Sequence, residues 1–155
     1  MKRLGAALAA IGLALVSGAA AQAPAPAPNA PLGRWLSESK RGVIEIYPCG
    51  DRLCGKLVWL IEPVRRGAPA ADDKNPDPAL RQRPLCGLMM LGDFRQVEAQ
   101  RWGDGWIYDP DSGNTYHATM RIEDGLLKLR GYVGIPLLGE TQTWSRPDGR
   151  YGASC

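Results

Sequence analysis

The chain has 155 residues, of which 23% are charged, and a formal net charge of +3. This length suits one domain with its own core and leaves little room for two. No run of Lys and Arg with interleaved aromatic residues is present, so the sequence lacks the electrostatic footprint of a nucleic-acid-binding protein. A single His excludes a multi-histidine zinc site within one chain.

The N-terminus has the three parts of an export signal. Lys2 and Arg3 form a positive region, residues 4–16 are apolar, and residues 19–21 are the small residues of a cleavage site. We expect cleavage after Ala21, so that residues 1–21 are a signal peptide and the mature protein is soluble and periplasmic. The alternative is a retained membrane anchor, but the apolar run is shorter than the roughly 20 residues that a spanning helix needs.

Residues 22–32 are rich in Ala and Pro. This composition favours an extended spacer and cannot form a packed core, so we interpret the segment as a linker to a single domain over residues 33–155. From Gly33 onward, short segments rich in β-branched and aromatic residues alternate with Gly, Asp, Asn and Pro turns. That alternation predicts antiparallel β structure.

Nine strands are predicted, a number that fits a closed barrel or a sandwich. Two joints, at residues 103–105 and 123–125, contain Gly and Asp, which tolerate the positive φ of narrow hairpins. Tight joints favour a small antiparallel up-and-down β-barrel in an all-β protein. The predicted strands are Gly33–Ser37, Gly42–Tyr47, Leu53–Leu60, Leu88–Arg95, Glu98–Trp102, Gly105–Tyr108, Thr115–Ile122, Leu126–Tyr132 and Glu140–Arg146.

One long loop interrupts this pattern. Residues 62–84 contain five prolines and mixed charge, which a central strand does not tolerate. Within the loop, Asp77 is a predicted N-cap and Pro78 a first helical residue, so we expect a short helical turn up to Arg81. A loop of this length is either a lid or binding loop, or passive surface packing.

The four cysteines allow three pairings. Cys49 and Cys54 flank residues 50–53 between two predicted strands, so a disulfide across this hairpin is sterically reasonable in an oxidising compartment and would contribute about 2 kcal/mol. Metal or redox chemistry is the alternative for this spacing, but no C-x-x-C motif is present. Cys86 and Cys155 form a second candidate pair that would pin the C-terminus, with free thiols as the alternative.

No catalytic or metal-binding motif is apparent. His117 lies on a predicted strand, and the chain has no G-x-S-x-G elbow for a hydrolase. Residues 109–114 faintly resemble a calcium loop, but Met120 stands where the bidentate Glu is needed, and a turn stabilised by Asp and Asn side chains explains the string. Nothing places two carboxylates around a substrate. We therefore expect no enzymatic activity, no metal and no cofactor.

Two sets of residues carry a resemblance to known proteins. The first is Gly33-x-Trp35 before the first strand with Arg146 after the last, which resembles the lipocalin-like (calycin) arrangement of a Trp packed against a basic side chain from the closing end of the barrel. The second is more specific and covers nearly the whole mature domain: residues 42–50, 53–59, 73–81, 107–110 and 130–139 (GVIEIYPCG, LCGKLVW, DKNPDPALR, IYDP and RGYVGIPLLG) are similar to the bacterial family called domain of unknown function 2147.

The resemblance implies an exported protein with a lipocalin-like barrel and brings no established reaction. Members of the family are similar through the 49–54 cysteine pair. Cys86 stands where the family pattern has an apolar residue, and Cys155 lies beyond the shared region. Asn114 stands where the pattern has Lys, which weakens any charge-based role for that turn.

Small barrels commonly hold one small ligand in the mouth. We therefore predict a periplasmic protein that binds a small, partly apolar molecule. The candidate lining residues, chosen as aromatic walls with a few polar groups, are Glu45, Tyr47, Trp59, Tyr108, Tyr132 and Gln142.

The alternative is an envelope interaction protein that binds a protein or cell-wall partner through residues 62–84 and the exposed hairpins. The anionic contacts would come from Arg65, Arg66, Arg81 and Arg83. A hollow barrel favours the ligand, and a filled barrel with an exposed patch favours the partner.

Overall fold

The structure is a computed structural model that describes residues 31–152 and Cys155. The predicted signal peptide and residues 22–30 of the predicted linker lie outside these residues. The strands are β1 (Gly33–Leu36), β2 (Gly42–Cys49), β3 (Arg52–Leu60), β4 (Val64–Arg65), β5 (Ala68–Pro69), β6 (Met89–Glu98), β7 (Arg101–Asp109), β8 (Asn114–Glu123), β9 (Leu126–Tyr132) and β10 (Glu140–Trp144).

Eight of these strands form one antiparallel meander in the order β1-β2-β3-β6-β7-β8-β9-β10. The first and last strands then meet, because the Leu36 amide donates to the Ser145 carbonyl at 2.8 Å and the Ser145 amide donates back to Leu36 at 3.1 Å. This antiparallel bridge brings the two edge strands together. The prediction of an all-β up-and-down barrel is confirmed.

The closure is reinforced by the Trp35 and Arg146 pair that the sequence indicated. The guanidinium carbon of Arg146 lies 3.6 Å from the centroid of the Trp35 ring. Its Nη1 also donates to the carbonyls of Leu32, at 2.9 Å, and Arg34, at 3.1 Å. Arg146, which follows the last strand, therefore binds both the backbone and the Trp35 ring at the first strand.

The interior follows from strand parity. In β2, Ile44 and Ile46 are almost completely buried while Glu45 between them is half-buried, as expected when alternate residues face the core. The neighbouring strands contribute further large apolar side chains to the same cluster. Its largest members are Trp35, Phe94, Trp102, Trp144, Leu91, Leu127, Leu129 and Met120.

One predicted turn is wrong. Residues 103–105 do not form a hairpin: they lie within the single strand β7, which replaces the two predicted strands Glu98–Trp102 and Gly105–Tyr108. The pairing of β7 with β8 shifts between Trp102 and Gly105, so the positive φ of Asp104, 60°, serves a β-bulge. Gly105 is needed because a Cβ there would come within 2.5 Å of the Phe94 ring.

The tight turns lie elsewhere. The β6–β7 hairpin turns at Gln100, whose φ is 59°. The β8–β9 hairpin turns at Asp124 and Gly125, both with positive φ, as the sequence predicted. The long loop contains the small β4–β5 ribbon, which was not predicted, and a 3-10 turn at Pro78–Leu80 capped by Asp77, which was.

Both predicted disulfides are present. Cys49 and Cys54, with Cα atoms 5.8 Å apart, close the β2–β3 hairpin. Cys155 pairs with Cys86, with Cα atoms 5.3 Å apart, and so ties the C-terminus to the end of the long loop. Within this tail, the Tyr151 ring packs edge-on against Trp59, 5.0 Å between centroids, on the outside of the barrel.

Replacing Arg146 tests the closure. Arg146→Ala removes two hydrogen bonds and the contact with the Trp35 ring, so we expect a loss of about 1–2 kcal/mol in the free energy of unfolding, allowing for partial exposure of the side chain. Urea unfolding followed by Trp fluorescence measures it. Arg150→Ala is the matched control, because the Arg150 side chain is 81% exposed and its contacts, with Asp148 and the Tyr151 ring, are both local to the tail. Equal unfolding midpoints for the two variants would contradict the proposed closure.

Candidate functional site

The connections at the two ends of the barrel differ in length. One end has only short turns, at residues 50–51, 99–100 and 124–125. At the other end are four longer connections, residues 37–41, 61–88, 110–113 and 133–139. Because successive connections of a meander alternate between ends, all the longer ones gather around the same mouth. We call this end the open end.

A cup with two lobes lies at the open end. The first lobe has a volume of about 350 Å³, with apolar walls from Ile44, Leu57, Leu85 and Met90 and a polar rim. The second has a volume of about 640 Å³. Ile107, Asp109 and Gln142 line both lobes, which makes them two parts of one cup.

The second lobe combines apolar and aromatic walls with a small number of polar groups. This is the usual character of a small-molecule site. The lobe is lined by Ile107, Asp109, Tyr116, Leu129, Gly131, Tyr132, Val133, Leu138, Gly139, Glu140 and Gln142.

One wall of this lobe is open because Gly131, near the open end of β9, has no side chain. Gly131 follows Leu127 and Leu129 in the row of β9 that faces the interior, and it pairs with Ala118 on one side and Glu140 on the other. A Cβ at Gly131 would lie 3.6 Å from the Ile107 side chain, which is ordinary van der Waals contact. The site could therefore accept a side chain, and the cavity exists because none is there.

The polar groups of the cup are held in different ways. Gln142 accepts a hydrogen bond from the indole of Trp144 at 2.9 Å, which leaves its amide NH₂ as a donor for the cup. Asp109 accepts from the Ser112 hydroxyl at 2.6 Å and thereby also stabilises the β7–β8 turn, as the sequence predicted for this string. Glu140 begins β10, opposite Gly131.

Three of the predicted lining residues do line the cup. Gln142 borders both lobes, Tyr108 borders the first and Tyr132 borders the second. Whether they contact a ligand stays a prediction.

The other three candidates lie outside the cup. Glu45 pairs with Lys56 at 3.5 Å, and Lys56 in turn lies 5.4 Å from the centroid of the Tyr47 ring. Strand parity explains this, because Ile44 and Ile46 occupy the inward positions of β2. Trp59 is covered by the C-terminal tail.

Tyr116 and Gly131 were missed as site residues. Tyr116 lies beside His117, and the sequence alone does not reveal that Tyr116 is the residue that lines the lobe. Gly131 carried a usable signal, since a Gly in the inward row of a strand marks either a close approach or an empty space. The exposed His117 instead lies beside Tyr132, with ring centroids 5.8 Å apart.

The long loop is fastened to the barrel beside the cup by a buried polar network. The carboxylate of Asp72, which is fully buried, accepts from the Tyr108 hydroxyl at 2.6 Å, from the Asn75 amide at 2.8 Å and from Arg83 at 2.8 Å. Burial opposes ionisation of Asp72, but these hydrogen bonds outweigh it and hold its pKa below the ordinary 3.8. Burial and the same carboxylate raise the pKa of Tyr108, which stays a donor.

This network changes the interpretation of the loop's arginines. Arg83 binds Asp72, and the Nε of Arg81 donates to the Asn75 carbonyl at 2.8 Å. Both were predicted to contact an anionic partner, but their hydrogen bonds hold the loop in place. Arg65 lies 3.8 Å from Glu62 at the rim of the cup.

Within residues 31–152 and Cys155, no group of three or more His, Cys, Asp or Glu side chains is placed to hold a metal ion. In the same part of the chain, no helix is long and apolar enough to cross a membrane.

A closed eight-stranded meander with a cup at one end and a Trp–Arg closure at the other defines a lipocalin-like barrel. Protein HP1028 from the human pathogen Helicobacter pylori, described as belonging to the lipocalin family, has the same fold: the TM-score is 0.67 at 20% identity, over 77% of this chain and 84% of that one.

The family described as "Uncharacterized protein conserved in bacteria (DUF2147)" matches residues 33–146, and the chain belongs to this family. Among curated proteins, none is similar enough to count as a match.

The Asp72 network can be tested by its acid dependence. Asp72→Asn leaves Arg83 without its counter-ion, so we expect a loss of about 2–3 kcal/mol in the free energy of unfolding at pH 7. Because the folded-state pKa of Asp72 is depressed, this contribution is fully present above the ordinary pKa of 3.8 and is lost as the pH falls through the folded value. Urea unfolding at a series of pH values should therefore show the two proteins converging only in acid.

The matched control is Asp73→Asn, since the neighbouring Asp73 is exposed. A difference from the native protein that persists unchanged below the folded pKa would show that the Asp72 charge is not what holds the loop.

Proposed function

We propose that this protein is a carrier or sensor that binds one small, partly apolar molecule in the cup of a lipocalin-like barrel. The observation that carries the proposal is the second lobe: about 640 Å³ of space, the room left by Gly131, apolar and aromatic walls, and a few polar groups. A pocket of this size and lining suits a drug-sized ligand. The sequence analysis found no catalytic constellation, which supports binding and not catalysis.

The cup is also built to stay open. The Asp72 network and the Cys86–Cys155 disulfide fasten the long loop beside it, while Arg130 donates to the carbonyls of Pro136, at 2.6 Å, and Leu137, at 3.1 Å, in the connection on the other side. Walls that are ordered before the ligand arrives lower the entropic cost of binding.

The bacterial cell envelope is the proposed location. The signal-peptide pattern of residues 1–21 supports export, and two disulfides within one small domain are typical of an oxidising compartment. The periplasm meets both requirements.

An envelope interaction protein is the second candidate. The observation that favours it is an apolar tip in residues 133–138, where Val133 is 71% exposed, Leu137 81% and Leu138 77%. Exposed apolar clusters often mark partner sites. This tip, and not the loop of residues 62–84, is the stronger candidate surface, because Arg81 and Arg83 of that loop bind their own loop.

Filling the space beside Gly131 separates the two candidates. Gly131→Leu places a side chain in the second lobe without positive-φ strain, so we expect at least about a tenfold loss of ligand retention with unchanged or slightly higher stability, since Gly weakens strands. Native mass spectrometry of the mature protein from the periplasm measures the bound adduct, and urea unfolding measures stability.

Gly149→Leu is the matched control, because a Cβ at Gly149 meets no atom within 4 Å. An adduct kept by Gly131→Leu would place the ligand elsewhere. If the native protein crosslinks to an envelope partner, and Leu137→Ser loses this crosslink while keeping the adduct, the partner surface is the functional one.

A further inference from the structure

The charges around the cup do not cancel within it. In the first lobe, Arg41 binds Asp111 at 3.0 Å and Arg65 lies 3.8 Å from Glu62, so each cation already has an acidic partner. The second lobe has no Lys, Arg or His in its lining but has two carboxylates, Asp109 and Glu140. Its electrostatic character is therefore negative.

The basic residue of β9 nearest to the lobe, Arg130, does not neutralise its negative charge. Arg130 alternates with Leu129 and Gly131, which line the lobe, and its guanidinium donates to Pro136, to Leu137 and, at 2.8 Å, to the Thr141 hydroxyl. These three hydrogen bonds direct the guanidinium at the connection between β9 and β10 and at β10 itself. The Glu140 carboxylate has no basic side chain within 4.0 Å among the ion pairs of the described residues.

The remaining walls also suit a cation joined to an apolar body. Tyr116 lines the same lobe as the carboxylates, and the face of a Tyr ring attracts ammonium groups. Ile107, Leu129, Val133 and Leu138 supply aliphatic surface around it. A carboxylate ligand would be repelled by Asp109 and Glu140 and would find no Lys, Arg or His in the lining of the lobe.

Resting on the proposed function, we propose that the cup selects an organic cation, namely an ammonium group carried on an apolar body. The ammonium lies between Glu140 and Asp109, and the apolar part lies against the aliphatic wall that continues to Val133 and Leu138. Long-chain carboxylic acids are excluded by the same charges.

Three probes with the same chain and different head groups test this: octyltrimethylammonium, octanol and octanoate, each below its micelle-forming concentration. Isothermal titration calorimetry on the mature full-length protein gives the three affinities at low and high salt. We expect the ammonium probe to bind at least about fivefold more tightly than octanol, octanoate to bind most weakly, and the preference to shrink as salt screens the partly exposed carboxylates.

Glu140→Gln assigns the preference to the site. It keeps the shape of the side chain and removes one charge, so the affinity for the ammonium probe should fall about three- to tenfold while that for octanol stays unchanged. Glu123→Gln is the matched control, because Glu123 pairs with Arg121 at the opposite end of the barrel. Gly131→Leu should weaken the binding of all probes.

Each outcome decides one of the two proposals. Equal binding of the three probes, tighter binding of octanoate, or an ammonium preference that survives Glu140→Gln would overturn the cation assignment and leave the carrier function standing. If none of the three probes binds, the cup does not receive small apolar ligands, and the carrier function fails together with the cation assignment.

Discussion

The meeting of the first and last strands is the constraint on which the rest of the structure depends. Two hydrogen bonds between Leu36 and Ser145, with Arg146 packed on Trp35, bring the edges of the eight-stranded sheet together. Joining the edges removes the exposed strand edges that invite aggregation and gives every strand an inside and an outside. Because all strands are antiparallel neighbours, successive connections alternate between the two ends, and the four longer ones lie at the same end. The cup is thus a consequence of closure and meander order, and its chemistry depends on which side chains parity turns inward.

Polar interactions hold the long loop in place at the mouth of the barrel. A segment as long as residues 61–88 would pay a large conformational entropy cost to stay in one place. The buried Asp72 carboxylate offsets it with charge-assisted hydrogen bonds from three side chains, and Cys86 ties the end of the same segment to the chain terminus. Rigid walls around an open cup suit selective binding of one ligand, because neither the loop nor the core must reorganise. In the proposed function, the negative lobe beside this frame supplies the selectivity.

The errors in the sequence-based prediction share one cause. Positive-φ residues serve turns and bulges alike, so Asp104 between two glycines predicted a hairpin where the chain forms a bulge in β7. Glu45 and Tyr47 were expected in the cup because the inward row of a strand cannot be chosen without knowing what the opposite row packs against. Gln142 lines the cup as predicted, but Gly131 escaped notice since an empty position has no side chain to suggest a role.

The sequence by itself determined the fold class, the position of most strands, the short turn after Asp77, the Cys49–Cys54 pairing and the two residues that reinforce barrel closure. The closure pair was implied by the resemblance to lipocalin-like barrels, whereas the other features follow from local chemistry: side-chain alternation, residues that tolerate positive φ, proline geometry and short-range cysteine spacing. Only the tertiary structure decided which residues face the cup, where Asp72 finds its partners, and that two carboxylates share a lobe without a basic side chain in its lining. These features depend on strand register and on contacts between residues far apart in the chain, and local sequence patterns determine neither.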